Sequence, residues 1–246
     1  MNIIADTHTH TIASTHAYST LQEMVHAAAM KKLYAIAITD HGIAMPGAPG
    51  KWYFHNMRIL PHRLEGVLLL RGVETNLIDY EGTIDLEPDC VNDIDWVIAS
   101  IHGVCMPEQK PTVELVTNAW LNVAKNRYVR VIGHCGMADY PFDYERVIPE
   151  FGRNGKLVEM NEGTFVSRST SVPNCKKIME LCKKHGVPII VNSDAHFSTR
   201  VGCFKNSLKL LQEIDFPEEL VVNSSVARFQ QYVKQYTGVF DTLTSL

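Results

Sequence analysis

At 246 residues the chain is long enough for one large domain with a full core. Its hydrophobic share of 46% excludes a disordered chain, and a formal net charge of −4 argues against a general binder of nucleic acid or membrane surface. The N-terminus has no basic region followed by a long apolar run, so neither a signal peptide nor a membrane anchor is expected.

Apolar, β-branched runs at 2–5, 34–39, 67–73, 95–100, 128–133, 157–160 and 188–192 predict strands. Segments with helical features separate most of them. Thr20-Leu-Gln-Glu23 is a capping box, and Leu21, Met24, Val25 and Ala28 follow at helical spacing. The loop 43–50 carries two prolines and two glycines, and Lys51-Trp-Tyr-Phe-His follows it, a candidate wall for a substrate pocket. Further along, Thr112 opens a stretch with Val116, Ala119, Trp120 and Val123 on one face. Ser171 and Pro173 open another with Ile178, Leu181 and Cys182, and Gly186 fits its stop. Leu208, Leu211 and Ile214 mark an amphipathic segment. A last strand-like piece at 220–222 precedes a terminal helix that starts near Ser225. Strands alternating with helices imply a parallel sheet with right-handed crossovers. Seven or eight such units suit one closed α/β barrel over 1–246, with a doubly wound open sheet as the alternative. The six cysteines (90, 105, 135, 175, 182 and 203) form no C-x-x-C pair and read as reduced thiols of a cytoplasmic protein.

Where the metal-type side chains fall is the decisive pattern. Predicted strands end in His8-Thr-His10, Thr39-Asp40-His41, Val73-Glu74, Ser100-Ile-His102, Gly133-His134 and Ser193-Asp194-Ala-His196. In a parallel barrel these ends converge on one face. Residues i and i+2 of an extended chain point alike, so His8 and His10 reach one ion together, as do Asp194 and His196. Asp6 shares that face one step deeper and reads as a supporting residue, as does Asp40. His16, in the loop after the first strand, can swing back to the rim. His8, His10, His16, His41, Glu74, His102, His134, Asp194 and His196 are too many ligands for one ion and suit two or three. Such a set favours zinc, manganese or iron over calcium or magnesium. Cys135, next in an extended chain after His134, should face away, and Asn161 and Glu162 either line the pocket or cap a strand end. An isolated histidine is more often a surface or core residue, and His26, His55, His62 and His185 read that way, although His55 could touch substrate.

This ordered set closely resembles the PHP (polymerase and histidinol phosphatase) family, above all its small stand-alone phosphatases with three zinc ions. The resemblance runs from residue 3 to about 200 and fills all nine ligand positions. It implies a distorted TIM-like (β/α)7 barrel with the metal site at the C-terminal ends of the strands. It also implies that His8, His10, Glu74 and Asp194 hold one ion, that Glu74 bridges to a second held by His102 and His134, and that His16, His41 and His196 hold a third.

Clustered divalent ions lower the pKa of a bound water and clamp the oxygens of an in-line displacement. The expected activity is hydrolysis of phosphate monoesters by a metal-activated bridging hydroxide, with Asp194, Glu74 and His196 as catalytic residues. Arg168, Arg200 and Lys51, in loops after strands six, seven and two, are candidates for phosphate contact. A small phosphorylated substrate is the expected partner, with no membrane and no nucleic acid, and a homo-oligomer is compatible. Three alternatives stay open at this point: a phosphodiesterase or nuclease of the same family, an amidohydrolase-type enzyme, and a non-catalytic metal-binding protein.

Overall fold

The computed structural model describes residues 1–240. Seven parallel strands form one sheet in chain order: β1 (Ala5–Asp6), β2 (Ala35–Ile38), β4 (Val67–Asn76), β5 (Trp96–Ser100), β6 (Val131–Ile132), β7 (Leu157–Asn161) and β8 (Ile189–Asn192). A short β3 (Arg63–Leu64) pairs antiparallel with β4 through a two-residue turn, where Glu65 and Gly66 both have positive φ (51° and 79°) as that hairpin geometry requires. Around the sheet lie α1 (Leu21–Met30), α2 (Lys51–Asn56), α3 (Pro88–Val91), α4 (Val113–Lys125), α5 (Tyr144–Arg153), α6 (Gly163–Ser167), α7 (Val172–His185), α8 (Lys205–Glu213) and α9 (Val226–Tyr236). The sheet curls until its ends meet. Thr9 and Ala195 form a parallel bridge, and the Asn192 side chain accepts from the Thr7 amide at 2.8 Å. The result is a distorted TIM-like barrel: the closed α/β barrel favoured by the β/α alternation, in the form the family resemblance implied.

Period two along each strand divides the residues between two layers. One parity fills the barrel interior with Ala35, Ala37, Leu68, Leu70, Trp96, Ile98 and Ile190, and Phe229 and Val233 of α9 pack into the same cluster from below. The other parity, with Ile36, Ile38, Leu69, Val73, Val97 and Ala99, lies under the helices. Carrying the interior parity upward reaches polar groups at the C-terminal ends: Thr39 and His41 beyond Ala37, Glu74 beyond Leu70, His102 beyond Ile98, Glu159 and Asn161 beyond Leu157, and Asp194 beyond Ile190. The barrel is therefore apolar at the bottom and polar at the top.

The local signals behave as their chemistry demands. In α1 the Thr20 hydroxyl accepts from Glu23 N while the Glu23 carboxylate accepts from Thr20 N. Thr112 caps α4, and Gly186 ends α7 in the left-handed region. Three expectations need correction. The first strand is Ala5–Asp6, not 2–5, and β4 continues past 73 to Asn76, so Glu74 lies inside a strand. The 220–222 segment is not a strand but short 3-10 turns with one bridge, Ile189 to Val221. There the Asn223 side chain replaces the ladder: it donates to Ala5 O (2.8 Å) and Val191 O (2.6 Å) and accepts from Val191 N (3.1 Å). Helix α5 had no sequence signal strong enough to name it, because Pro149 interrupts its pattern, yet Asp143 caps it and Val147, Ile148 and Phe151 are buried.

Candidate metal centre

All nine predicted ligands lie at the top of the barrel, and Glu74 is their hub. Its Oε2 is 3.3 Å from His8 Nε2, 3.5 Å from His10 Nε2 and 2.8 Å from His41 Nδ1. Its Oε1 is 2.9 Å from His134 Nε2 and 3.5 Å from His102 Nε2. Asp194 Oδ1 faces His8 Nε2 (3.4 Å) and His10 Nε2 (3.3 Å) from the other side. His196 stacks on His10 and His16, and His16 Nε2 is 3.3 Å from His41 Nε2. His16 itself is exposed at the rim, as its loop position suggested.

The ring orientations are set from behind. His8 donates from Nδ1 to Glu159 Oε1 (2.7 Å), His10 to Ser14 Oγ (3.3 Å), His102 to Asn76 Oδ1 (2.7 Å) and His196 to the Asp194 carbonyl (3.0 Å). A carboxylate, a carbonyl and an amide oxygen only accept, so the Nδ1 atoms of His8, His102 and His196 carry hydrogen and their Nε2 atoms are the ones turned to the cluster. His8 Nε2, His10 Nε2, His41 Nδ1, Glu74 Oε2 and His196 Nε2 are buried and have no hydrogen-bond partner among the described residues. Buried polar atoms normally find partners, so a cluster of imidazole and carboxylate atoms left without hydrogen bonds and facing one another has the chemistry of a candidate metal-binding site. Ligand atoms of His8, His10 and Asp194, of His10, His41 and His196, and of His41, Glu74 and His102 each lie within 4.8 Å of one another. Imidazole nitrogen with carboxylate oxygen fits zinc, manganese or iron.

Electrostatics agree. Burial raises the pKa of a carboxyl, but His8, His102 and His41 outweigh it and hold Glu74 well below the usual range. Asp194 is held well below for the same reason, by His8, His10 and Arg168 against burial. Burial pushes His102 down to about 3 and His10 well below the imidazole range. Two of the candidate ligands beyond strand ends sit in left-handed backbone, His134 at φ 23° and Asp194 at φ 56°, a region that L residues adopt infrequently.

The second layer is where sequence reasoning fell short. Glu159, unremarked in the sequence, accepts from His8 Nδ1 and Asn192 Nδ2 through Oε1, and from His134 N and Asn161 Nδ2 through Oε2. Its signal was its parity: it sits two residues above Leu157 on the interior face of β7. Asn76, two residues beyond Glu74, was overlooked for want of the longer β4. Asp40 is a supporting residue, accepting from Thr11, Ser14 and the Tyr53 hydroxyl. Asp6 supports too, though not as expected: it turns to Ser193 and Gly202 rather than to the histidines. Burial pushes its carboxyl up to about 6.

Other predicted residues separate cleanly. Arg168 Nη2 donates to Asp194 Oδ2 (2.8 Å) and Asn161 Oδ1 (3.1 Å), and its buried Nε–H has no partner among the described residues. Arg200 joins it around a cavity of ≈ 390 Å³ walled also by His16, Asp194 and His196. Lys51 is not brought there. It pairs with Glu87 at 2.5 Å and borders a different hollow with Trp52, His55 and Arg58. Glu162 caps α8 through the amides of Asn206 and Ser207. Cys135 faces into the core. In the aromatic run Phe54 packs, Tyr53 braces Asp40, and Trp52 is 86% exposed. His26, His55 and His62 pair instead with Glu65, Asp93 and Asp95.

The PHP domain model matches residues 6–163 and a PHP-associated model matches 173–221. A protein of Acetivibrio thermocellus named "Probable phosphatase" is 47% identical over 235 residues, covering 96% of this chain and 97% of its own. A Thermoanaerobacter protein named likewise is 45% identical over 236 residues, covering 96% of each. Among solved structures, histidinol phosphate phosphatase of Lactococcus lactis, in complex with zinc, L-histidinol and phosphate, superposes with a TM-score of 0.62 at 17% identity, covering 88% of this chain and 95% of that one. At that identity the likeness speaks for the fold alone. The family models span most of the barrel and all nine ligands, and the chain belongs to the PHP domain family.

Proposed function

We propose that the chain is a metal-dependent phosphatase that hydrolyses phosphate monoesters at a trinuclear centre. The observation that carries the reading is the cluster of orphaned imidazole and carboxylate atoms around Glu74. Glu74 presents one oxygen to His8, His10 and His41 and the other to His102 and His134, the arrangement of a carboxylate shared between two ions. His8, His10 and Asp194 with Glu74 would hold the first, His102 and His134 with Glu74 the second, and His16, His41 and His196 the third. Zinc is the favoured metal, with manganese or iron acceptable to the same donors. Ions held there supply a water of lowered pKa and positive charge for phosphoryl oxygens. The close relatives named as phosphatases, and the zinc and phosphate bound by the Lactococcus lactis protein, support the same chemistry.

The residues of the chain divide the remaining work. Arg168 and Arg200 line the cavity beside the cluster, and in this reading both bind phosphate oxygens. Asp194, kept ionised by the histidines and Arg168, serves better as ligand than as general base, because a carboxyl with so low a pKa is a poor proton acceptor. His196 closes the cluster at the cavity wall. A cavity of ≈ 390 Å³ admits a small phosphorylated molecule. The reading takes 1–246 as one domain working in a reducing compartment, where its six unpaired thiols stay reduced.

The test is metal-dependent release of phosphate. Purified protein should hydrolyse a generic monoester such as p-nitrophenyl phosphate, lose that activity to a chelator and regain it with zinc or manganese. No release from any monoester, whatever the metal, contradicts the proposal. Faster turnover of a generic diester moves the chain to the phosphodiesterases.

A further inference from the structure

The cavity beside the cluster has two chemically different ends. Its more buried side carries Arg168 beside Asp194 and His196, and the exposed Arg200 lines it too. Beside the exposed His16, Ser167 and Arg200, its outer lip carries three apolar side chains. Tyr18, Val166 and Phe197 line the same cavity and are 73%, 62% and 47% exposed. They come from separate elements: the loop after β1, helix α6 and the turn after β8. Single exposed apolar side chains are common, but three that converge on the mouth of one site form a surface with a use.

The lip is also built. Tyr18 N donates to the carbonyl of His196 at 3.0 Å, and Ser198 N donates to Ser19 Oγ at 3.0 Å. These bonds zip the loop after β1 to the turn after β8, so Tyr18 and Phe197 are held beside each other. They also tie the backbone at Tyr18 to that of His196, the residue before Phe197. The position of the lip is therefore fixed relative to the cluster, and part of the ordering that a bound ring would otherwise require is already done.

Resting on the phosphatase reading, we propose that this lip is a leaving-group subsite, and that the substrate is the phosphate monoester of a small alcohol bearing an apolar ring. The phosphate sits between the arginines and the cluster, and the ring lies over Tyr18, Val166 and Phe197. In the reaction a water oxygen forms a bond to phosphorus while the bond from phosphorus to the alcohol oxygen breaks. The alcohol departs with the bonding pair and takes up one proton, the water having given one up, so water and ester become alcohol and inorganic phosphate. Sugar phosphates and nucleotide chains, with polar hydroxyls or further charges where the rings lie, match the lip poorly.

Two ligand pairs test the proposal on metal-loaded, full-length protein. Ethyl phosphate and 2-phenylethyl phosphate have alcohols of similar acidity and differ by one ring. The expected kcat/KM is at least about tenfold higher for the ring-bearing ester, and Tyr18→Ala with Phe197→Ala should bring the ratio to near one. Ethylphosphonate and 2-phenylethylphosphonate, which cannot be hydrolysed, should show the same preference in calorimetric binding. A preference in the phosphonates with no hydrolysis of either ester keeps the subsite and rejects the phosphatase reading. Hydrolysis of both esters with equal kcat/KM and equal phosphonate binding rejects the subsite and keeps the phosphatase. An assembly that covers the lip with a second copy, and that Tyr18→Ala dissociates in sedimentation, also overturns it.

Discussion

Glu159 touches no position where an ion would sit, yet the geometry makes it a positioning residue. It holds His8 by a 2.7 Å bond from Nδ1 and the His134 amide by a 2.9 Å bond, from the two oxygens of one carboxylate. Glu159→Gln keeps the volume and removes the charge. Whichever way the amide turns, its NH2 end faces two donors: His8 Nδ1 and Asn192 Nδ2 at one end, His134 N and Asn161 Nδ2 at the other. At least one charge-assisted bond to a ligand histidine or its backbone is lost, and such a bond is worth about 1.5–3 kcal/mol. That corresponds to about 10- to 100-fold in metal affinity, the range seen when outer partners of metal ligands are changed. Competition against a calibrated chelator measures the affinity, and kcat/KM at limiting and saturating metal shows whether the loss is recovered by mass action. The expected variant is weak at limiting metal and partly restored at saturation. Wild-type affinity together with kcat/KM within about twofold of wild type would refute the idea that the carboxylate orients His8.

Glu74→Ala removes the hub of both oxygen sets and should lower the metal content by at least one ion per chain, with activity falling beyond the roughly 100-fold expected for an outer partner; full metal retention refutes the bridge. Phe229→Ala empties a buried ring from the barrel floor and should cost about 3–5 kcal/mol in denaturant unfolding, while activity per folded molecule stays unchanged. Gly133→Ala should destabilise the top of the barrel and weaken metal binding, because a Cβ there would lie 2.2 Å from Ser100 Oγ and 2.8 Å from Ile98 Cγ2, directly before His134. Metal binding should release protons. Burial works against charge on His8, but Glu159, Glu74 and Asp194 hold its pKa well above the ordinary value in the metal-free protein, and an ion must displace that proton. Apparent affinity should therefore rise with pH. The same pairing stabilises the metal-free fold fully below about pH 6.5 and is lost as pH climbs through the raised value. Calorimetry in buffers of different ionisation enthalpy reads the proton count, and zero protons contradicts the assignment.

The fold was legible because one signal repeated. Each apolar run with an amphipathic segment behind it is a β/α unit, and once the sheet closes into a barrel such units set the parallel strands in chain order. The convergence of the candidate ligands was legible because period two and strand polarity place such residues as Glu74 and His102 at one end of the barrel. What escaped were features that depend on contacts across the barrel. Glu159 sits on a strand whose end showed only Asn161 and Glu162, and its partner His8 is 151 positions away. Asn223 closes the barrel with an amide where a strand was expected, since a side chain that mimics a ladder leaves no apolar alternation. Lys51 had the right charge and a promising loop, but Glu87, from a distant segment, draws it away. Asp6 drops out of line with His8 and His10 because β1 ends at Asp6, and beyond a strand the alternation no longer dictates direction.

Elemental analysis of the purified protein, run beside a monoester phosphatase assay on the same preparation, tests the central claim most directly. The account predicts about three transition-metal ions per chain, with activity that falls as they are stripped and returns as they are restored. A content of one ion per chain in fully active protein would contradict it.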